Sequence, residues 1–344
     1  MVELVDTRDL KSLGSNTVPV QVWFPALCWT LRGSVLFFGV FMYSDTHCHI
    51  NLIAKEDQAI AVDVIKRLST KKTPFVLDIG TANNDLTKRV RLIESLINKM
   101  AENHISNNDT IIKHARNMFY FSAGIWPSVK EIKSRLTSVR ELENQIDTFK
   151  SNSCNTMFSS SHLVALGECG LDHHWNPSGV DGRNEDDFTN NMVTAEAELF
   201  EMQLNLAQKK DLAVVVHSRD AFDGTLSCIK NIGYHRGIIH CYSYGIKEAK
   251  QFLDLGWYIS FSGSVTYTKK RDMDDMAALI QYIPRDRILC ETDSPYLAPV
   301  PFRGKKNNPE LVEFVYKFVA QKLNIEPEAL SKIVYDNARN LFRI

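Results

Sequence analysis

Cysteine is scarce and unpatterned: seven occur, at 28, 48, 154, 169, 228, 241 and 290, an odd number without a single Cys-x-x-Cys pair. That excludes a disulfide scaffold and points to a reducing compartment, so the cytoplasm is the expected location. Surplus charge is lacking too, since forty Lys and Arg face forty-one Asp and Glu for a formal charge of -1. A globally basic, nucleic-acid-coating surface is excluded by this balance, whereas a local basic groove is not. The longest greasy stretch, near Leu31 to Met42, carries Arg32 and falls short of the roughly 20 residues of a membrane-spanning helix. It also lacks the flanks of a secretory signal, and no membrane association is expected. Glycine (16) and proline (11) are too few for a collagen-like or low-complexity polymer. What is present, 44% hydrophobic and 24% charged residues, is the composition of an ordinary globular chain.

Residues 1–41 do not share the pattern of the rest. They join a polar start to Val20-Gln-Val-Trp-Phe-Pro25 without helical periodicity, and Met42 immediately precedes a compact motif, Asp45-Thr-His-Cys-His49. Val18 to Pro25 resembles the translated end of a transfer-RNA gene. The segment is therefore expected to be either an upstream artefact of reading frame, with Met42 as the start, or a short extension. Residues 42–344 are expected to form a single hydrolase domain.

Beyond Met42, short apolar runs alternate with long amphipathic ones. Tyr43 to His47, Phe75 to Gly80, Met118 to Gly124, Leu163 to Gly167, Leu212 to His217, Gly237 to His240, Gly256 to Ser260 and Ile288 to Thr292 suit buried parallel strands. Between them, Ala197, Phe200, Leu204 and Ala207 place one apolar stripe on a helix ending near Lys209-Lys210. Further helices are expected over Ile60–Leu68, Leu86–Ala101, Ser128–Phe149, Ile246–Leu255 and Met273–Ile283. Eight strands separated by helices fit a TIM-type (β/α)8 barrel, and a doubly wound sheet reads similarly. Asn176 to Asn191 reads as a polar loop insertion bordering the site.

Ionisable residues at strand ends carry the chemistry. His47 and His49, at i and i+2, lie on the same side of an extended segment and can converge on one ion. Asp45 is placed to accept the other ring proton of one of them. Glu168, His217, His240 and Asp293 each follow an apolar strand, where a barrel's loops build its site. Imidazoles with carboxylates suit zinc, manganese or magnesium-assisted hydrolysis, and a carboxylate such as Glu168 can bridge two ions.

Six motifs in order, Asp45-Thr-His-Cys-His49, Gly167-Glu-Cys-Gly-Leu-Asp172, His217-Ser-Arg219, His240-Cys-Tyr-Ser243, Gly256 to Gly263 and Glu291-Thr-Asp-Ser-Pro-Tyr-Leu297, closely resemble the TatD family of metal-dependent deoxyribonucleases. Pro301-Phe-Arg-Gly304, Asn308-Pro309 and Asn337 to Phe342 extend the resemblance over essentially everything after Met42. It implies an amidohydrolase-like TIM barrel that hydrolyses DNA phosphodiesters with two divalent ions, Mg2+, Mn2+ or Zn2+. His47, His49, Glu168 and Asp293 would serve one ion, and Glu168, His217 and His240 the other, with Asp293 also accepting a proton from water. Arg219 and Arg303 are the candidate phosphate contacts. The family commonly has Gly-x-His-Pro where this chain has Gly124-Ile-Trp-Pro127, and Trp126 cannot ligate as histidine does.

The expected function is therefore a metal-dependent deoxyribonuclease, acting on DNA as a 3'-5' exonuclease on single-stranded or frayed ends, because near-neutral charge disfavours extensive duplex binding. The alternatives are a metal-dependent hydrolase of a small amide, ester or lactone, and a nucleic-acid-binding module without turnover. No dimer patch is legible, and a monomer is expected. Tyr242, Trp257 and Tyr296 could stack on a base, but aromatics beside barrel strands are more often core.

Overall fold

The computed structural model describes residues 30–31, 34–35, 42–102, 108–151, 155–174 and 185–344. Two units divide the chain, Met1–Val40 and Phe41–Ile344. In the first, β1 (Thr30–Leu31) pairs antiparallel with β2 (Ser34–Val35). The other residues of the expected N-terminal extension lie outside the described ones.

In the second unit the expected apolar runs become eight parallel strands: β3 (Asp45–Cys48), β4 (Val76–Asp78), β5 (Phe119–Ala123), β6 (Leu163–Asp172), β7 (Ala213–Arg219), β8 (Gly237–Ile239), β9 (Tyr258–Phe261) and β10 (Ile288–Cys290). Each neighbours the next in sequence order, as in a (β/α)8 barrel and unlike a doubly wound sheet, whose order reverses. The barrel draws together between β10 and β3 just beyond the strand ends. There the Asp293 N–H donates to the His47 carbonyl at 2.9 Å and the His49 N–H to the Ser294 carbonyl at 2.8 Å. The seam thus runs through three of the expected ligands.

Outside the strands lie α1 (Ile50–Glu56), α2 (Gln58–Thr70), α3 (Leu86–Glu102), α4 (Asn108–Met118), α5 (Val129–Lys133), α6 (Arg135–Lys150), α7 (Asn190–Lys210), α8 (Phe222–Ile232), α9 (Ile246–Asp254), α10 (Met273–Tyr282), α11 (Val312–Leu323) and α12 (Pro327–Phe342). The stripe expected on α7 is there, with Phe200, Leu204 and Ala207 buried and Ala197 packed at the edge of the core. The single helix expected over Ser128–Phe149 is two. The Ser134 hydroxyl donates to the Lys130 carbonyl at 2.8 Å, a back-bond that bends helices where it forms. Residues 175–184 of the expected loop lie outside the described ones; Glu185–Phe188 is a short 3-10 turn, and α7 already starts at Asn190.

One strand differs in a way that matters. The run Leu163 to Gly167 was expected to end before Glu168, but β6 continues to Asp172. Opposite it, Val215 pairs with Gly167 and Val216 with Cys169, so Glu168 is the extra residue of a bulge. Gly170, at φ +147°, lets β6 lie against β7: a Cβ there would sit 1.9 Å from the His217 carbonyl oxygen.

Candidate metal centre

The bulge on β6 sends the Glu168 carboxylate to the middle of a histidine cluster. Its Oε1 lies 2.9 Å from His217 Nδ1 and 3.0 Å from His240 Nε2. Its Oε2 lies 3.5 Å from His47 Nε2 and 3.9 Å from His49 Nε2. The two oxygens of one carboxylate therefore face two separate histidine pairs. Asp293 completes the second group, its Oδ1 at 3.5 Å from His47 Nε2 and 3.6 Å from His49 Nε2. All six residues singled out from their strand ends thus come together.

Each pair is held in place locally. His47 and His49 flank the seam residue Cys48, and their Nε2 atoms lie 3.3 Å apart. His217 and His240 come from neighbouring strands and approach to 3.4 Å between Nδ1 and Nε2. His47 stacks flat against His240, with centroids 4.0 Å apart, which joins the two groups. These nitrogen and oxygen donors could hold divalent ions, in the groups His47, His49, Asp293 and His47, Glu168, His240, or with His217 beside Glu168 and His240.

Two further carboxylates orient the rings. His217 Nε2 donates to Asp172 Oδ2 at 3.0 Å, and His240 Nδ1 to Glu291 Oε1 at 3.3 Å. The same Glu291 oxygen accepts the Cys241 N–H at 2.6 Å. Such partners fix which ring nitrogen is free to bind an ion. Both stand in the quoted motifs, at Gly167–Asp172 and Glu291–Leu297, but spacing alone gave no sign of their role. Asp45 corrects an expectation, because it takes no ring proton. It accepts the backbone N–H of His47 at 3.2 Å, and the Thr292 N–H and hydroxyl at 2.9 and 2.6 Å. Only two residues before His47, it reaches that residue's backbone and tightens the seam. Burial pushes its carboxyl up to about 8 against the pull of those bonds.

Burial opposes charge throughout the cluster, yet pairing wins at most positions. At His217, burial disfavours the imidazolium, but Asp172 and Glu168 outweigh it and push the ring up to about 9. At His240, burial is likewise overcome by Glu168 and Glu291, and the ring stands well above its ordinary value. Against burial, the surrounding histidines hold Glu168 well below the carboxylate range, and His49 and its neighbours lower Asp293. His47 goes the other way, lowered by burial and then by His240. Protons and metal ions thus compete for the same donors.

A family profile described as TatD related DNase matches residues 44–343. The chain belongs to this family. It is 28% identical over 308 residues to the uncharacterized metal-dependent hydrolase YabD of Bacillus subtilis, covering 88% of this chain and 100% of that one. It is 29% identical over 303 residues to the uncharacterized metal-dependent hydrolase YcfH of Escherichia coli, covering 87% and 95%. The crystal structure of the TatD homologue YjjV from E. coli superposes with a TM-score of 0.66 at 22% identity, covering 89% and 99%, and shares the fold.

Against the TatD pattern, Trp126 stands where a histidine is common. It is half-buried, and its ring meets His217 at 70° with centroids 5.9 Å apart, packing against an expected ligand. Of the two arginines, Arg219 is half-buried and near enough to Asp172 to help hold that carboxyl low against burial, a smaller effect than those of His217 and the His174 N–H. Arg303 is exposed at the rim, its guanidinium 4.4 Å above the Tyr267 ring. Cys48, Cys169 and Cys241 neighbour the ligands, and burial raises all three thiols, Cys241 to about 12. They pack as thiols. Trp257 and Tyr242 are core, whereas Tyr296 is 56% exposed. Among the described residues no helix is long and apolar enough to cross a membrane.

Proposed function

We propose that this TatD-family protein is a metal-dependent deoxyribonuclease that hydrolyses DNA phosphodiester bonds, trimming single-stranded or frayed ends from 3' to 5'. The observation that carries the reading is the division of Glu168, one oxygen toward His217 and His240 and the other toward His47 and His49. A carboxylate that turns one oxygen to each of two imidazole pairs could be shared by two ions. His47, His49, Glu168 and Asp293 would hold one, and Glu168, His217 and His240 the other. Magnesium, manganese or zinc bound there would make a water nucleophilic at neutral pH and offset charge on the transferring phosphate.

The chain's own groups do the rest. Asp293, its side chain 15% exposed, is the carboxylate of the cluster most open to solvent, and the neighbouring histidines, which hold it below its ordinary value against burial, keep it ionised and so able to accept a proton from the attacking water. Asp172 and Glu291 hold the rings of His217 and His240 in one tautomer. Arg219, beyond His217 on β7, and Arg303 would meet phosphate oxygens in this reading, since a guanidinium can pair with them through two N–H groups.

The test is cleavage of end-labelled single- and double-stranded DNA with magnesium, manganese or zinc, with Asp293→Asn alongside. Metal-dependent stepwise shortening, lost in the variant, is the expected result and gives the direction. Intact DNA under every condition overturns the reading in favour of small-molecule hydrolysis.

A further inference from the structure

Of the large hydrophobic side chains exposed among the described residues, three fall within seven positions: Tyr296, Val300 and Phe302. All lie in the segment that follows Asp293. Exposed Arg303 and Lys305 come next. A rim that interleaves aromatic and cationic side chains is the composition used to hold unpaired nucleic acid, with bases on the rings and phosphates on the cations.

Tyr296 has the best-defined place in it. Its ring stands edge to face with His49, at 72° and with centroids 6.4 Å apart, so it adjoins the histidine pair directly. Its backbone is tied to the same site. The Tyr296 N–H donates to the Asp293 carbonyl at 2.9 Å, and the buried Asn307 amide donates to the Tyr296 carbonyl at 2.6 Å and to the Thr292 carbonyl at 2.9 Å. The residue is therefore held in register with Asp293, and 56% of its surface is open to solvent.

From this we infer that Tyr296 is the residue that selects an unpaired end, by stacking on the nucleobase next to the phosphate being cleaved. A nucleotide reaches from phosphate to base across one sugar, and Tyr296 stands one side chain away from the ligands that would face the phosphate. A base inside a duplex has both faces covered by its neighbours and is held by its pairing partner, whereas a base in a frayed or single-stranded end is free to turn a face onto the ring. The inference rests on the deoxyribonuclease reading and adds the source of its selectivity.

Two measurements separate the two ideas. With wild-type protein and with Asp293→Asn, each supplied with magnesium, manganese or zinc, single strands ending in 2-aminopurine at either end are titrated, and stacking is read as quenching of the terminal base. In parallel, KM and kcat are measured on single-stranded DNA for the wild type, Tyr296→Ala and Tyr296→Phe. Tyr296→Ala is expected to abolish the quenching and to raise KM roughly 5- to 150-fold, the range given by the usual strength of base–aromatic stacking. The effect falls on KM more than on kcat, and Tyr296→Phe restores both signals. With an abasic residue at the same position, Tyr296→Ala adds no further increase, because the partner is already gone. DNA cleaved with the same KM by wild type and Tyr296→Ala, or no quenching with Asp293→Asn, which leaves the terminal base attached, overturns the assignment. Quenching without any cleavage leaves it standing and removes the hydrolytic reading instead.

Discussion

Asp172 and Glu168 grip opposite nitrogens of one ring: Asp172 Oδ2 is 3.0 Å from His217 Nε2, and Glu168 Oε1 is 2.9 Å from His217 Nδ1. While Nε2 carries the proton, Nδ1 presents a lone pair toward the shared carboxylate, where an ion would bind. Asp172→Asn puts an amide on that bond, and an amide that donates reverses the tautomer. Metal affinity is expected to fall about 10- to 100-fold, the usual cost of losing such a partner. Calorimetric titration with zinc or manganese measures it, and an unchanged Kd would show that Asp172 does not orient the ring.

The same geometry sets an opposite pH trend for the metal-free protein. His217 has its value raised in the folded state, to about 9, from an ordinary 6.5. Its pairing therefore contributes stability that is fully present below pH 6.5 and is lost as pH rises through 9. Metal binding needs the neutral ring and so grows stronger over the same window. Chelator-treated protein should lose Tm from pH 6.5 to 9, while the metal-dependent gain in Tm increases. A metal-induced gain that shrinks with rising pH would contradict the competition.

How much of this was legible depends on the range of the interaction. Buried parallel strands announce themselves as apolar runs, so all eight were found, and the ionisable residues at the ends of five of them marked the mouth of the barrel. The apolar run stops at Gly167, yet the strand continues past Glu168, because Gly167 and Gly170 permit close contact with β7. Helix α1 is only seven residues long and α4 lies in a polar stretch, so periodicity had little to work on. Asp172 and Glu291 acquire their roles from strands 45 and 51 residues away in sequence, which no local spacing encodes. Tyr296 and Trp257 were equivalent as letters; only burial separates them.

Gly170 offers a test of the strand geometry. Any Cβ there meets the His217 carbonyl at 1.9 Å, and φ is +147°, so Gly170→Ala must push β7 away where it carries a ligand. A loss of about 3 kcal/mol or more is expected, from strain plus displaced packing. Urea unfolding reads it, and a change within about 0.5 kcal/mol, ordinary for a surface site, would rule out the close approach.

Farther from the mouth, Arg89 is buried and supports the first histidine pair indirectly. Its guanidinium pairs with buried Asp78 and, at 3.1 Å, with Asp85. Asp78 in turn accepts the N–H of Ile50, the residue after His49, at 3.0 Å. Arg89→Ala strands the Asp78 carboxylate and is expected to cost roughly 3–5 kcal/mol. Equilibrium unfolding measures that loss directly. Arg89→Ala combined with Asp78→Ala should cost less than the sum of the two single changes, and strict additivity would mean that the pair is not coupled.

At the rim, Arg303 should act through charge rather than shape. Its guanidinium rests over Tyr267, whose hydroxyl donates to the Ala298 carbonyl at 2.6 Å, so the cation is held on a fixed ring without any carboxylate neutralising it among the contacts described. A cation so placed attracts phosphate of any sequence. Arg303→Ala is therefore expected to weaken binding of single-stranded DNA evenly across sequences, and to reduce the slope of log K against log salt by about 0.7, the contribution of one phosphate contact on a single strand. Arg303→Lys should keep the slope, since the charge remains, while losing some of the flat contact with Tyr267. Affinities measured between 50 and 200 mM salt, about the span over which such slopes show, decide it. An unaltered slope in Arg303→Ala would place the strand elsewhere on the rim.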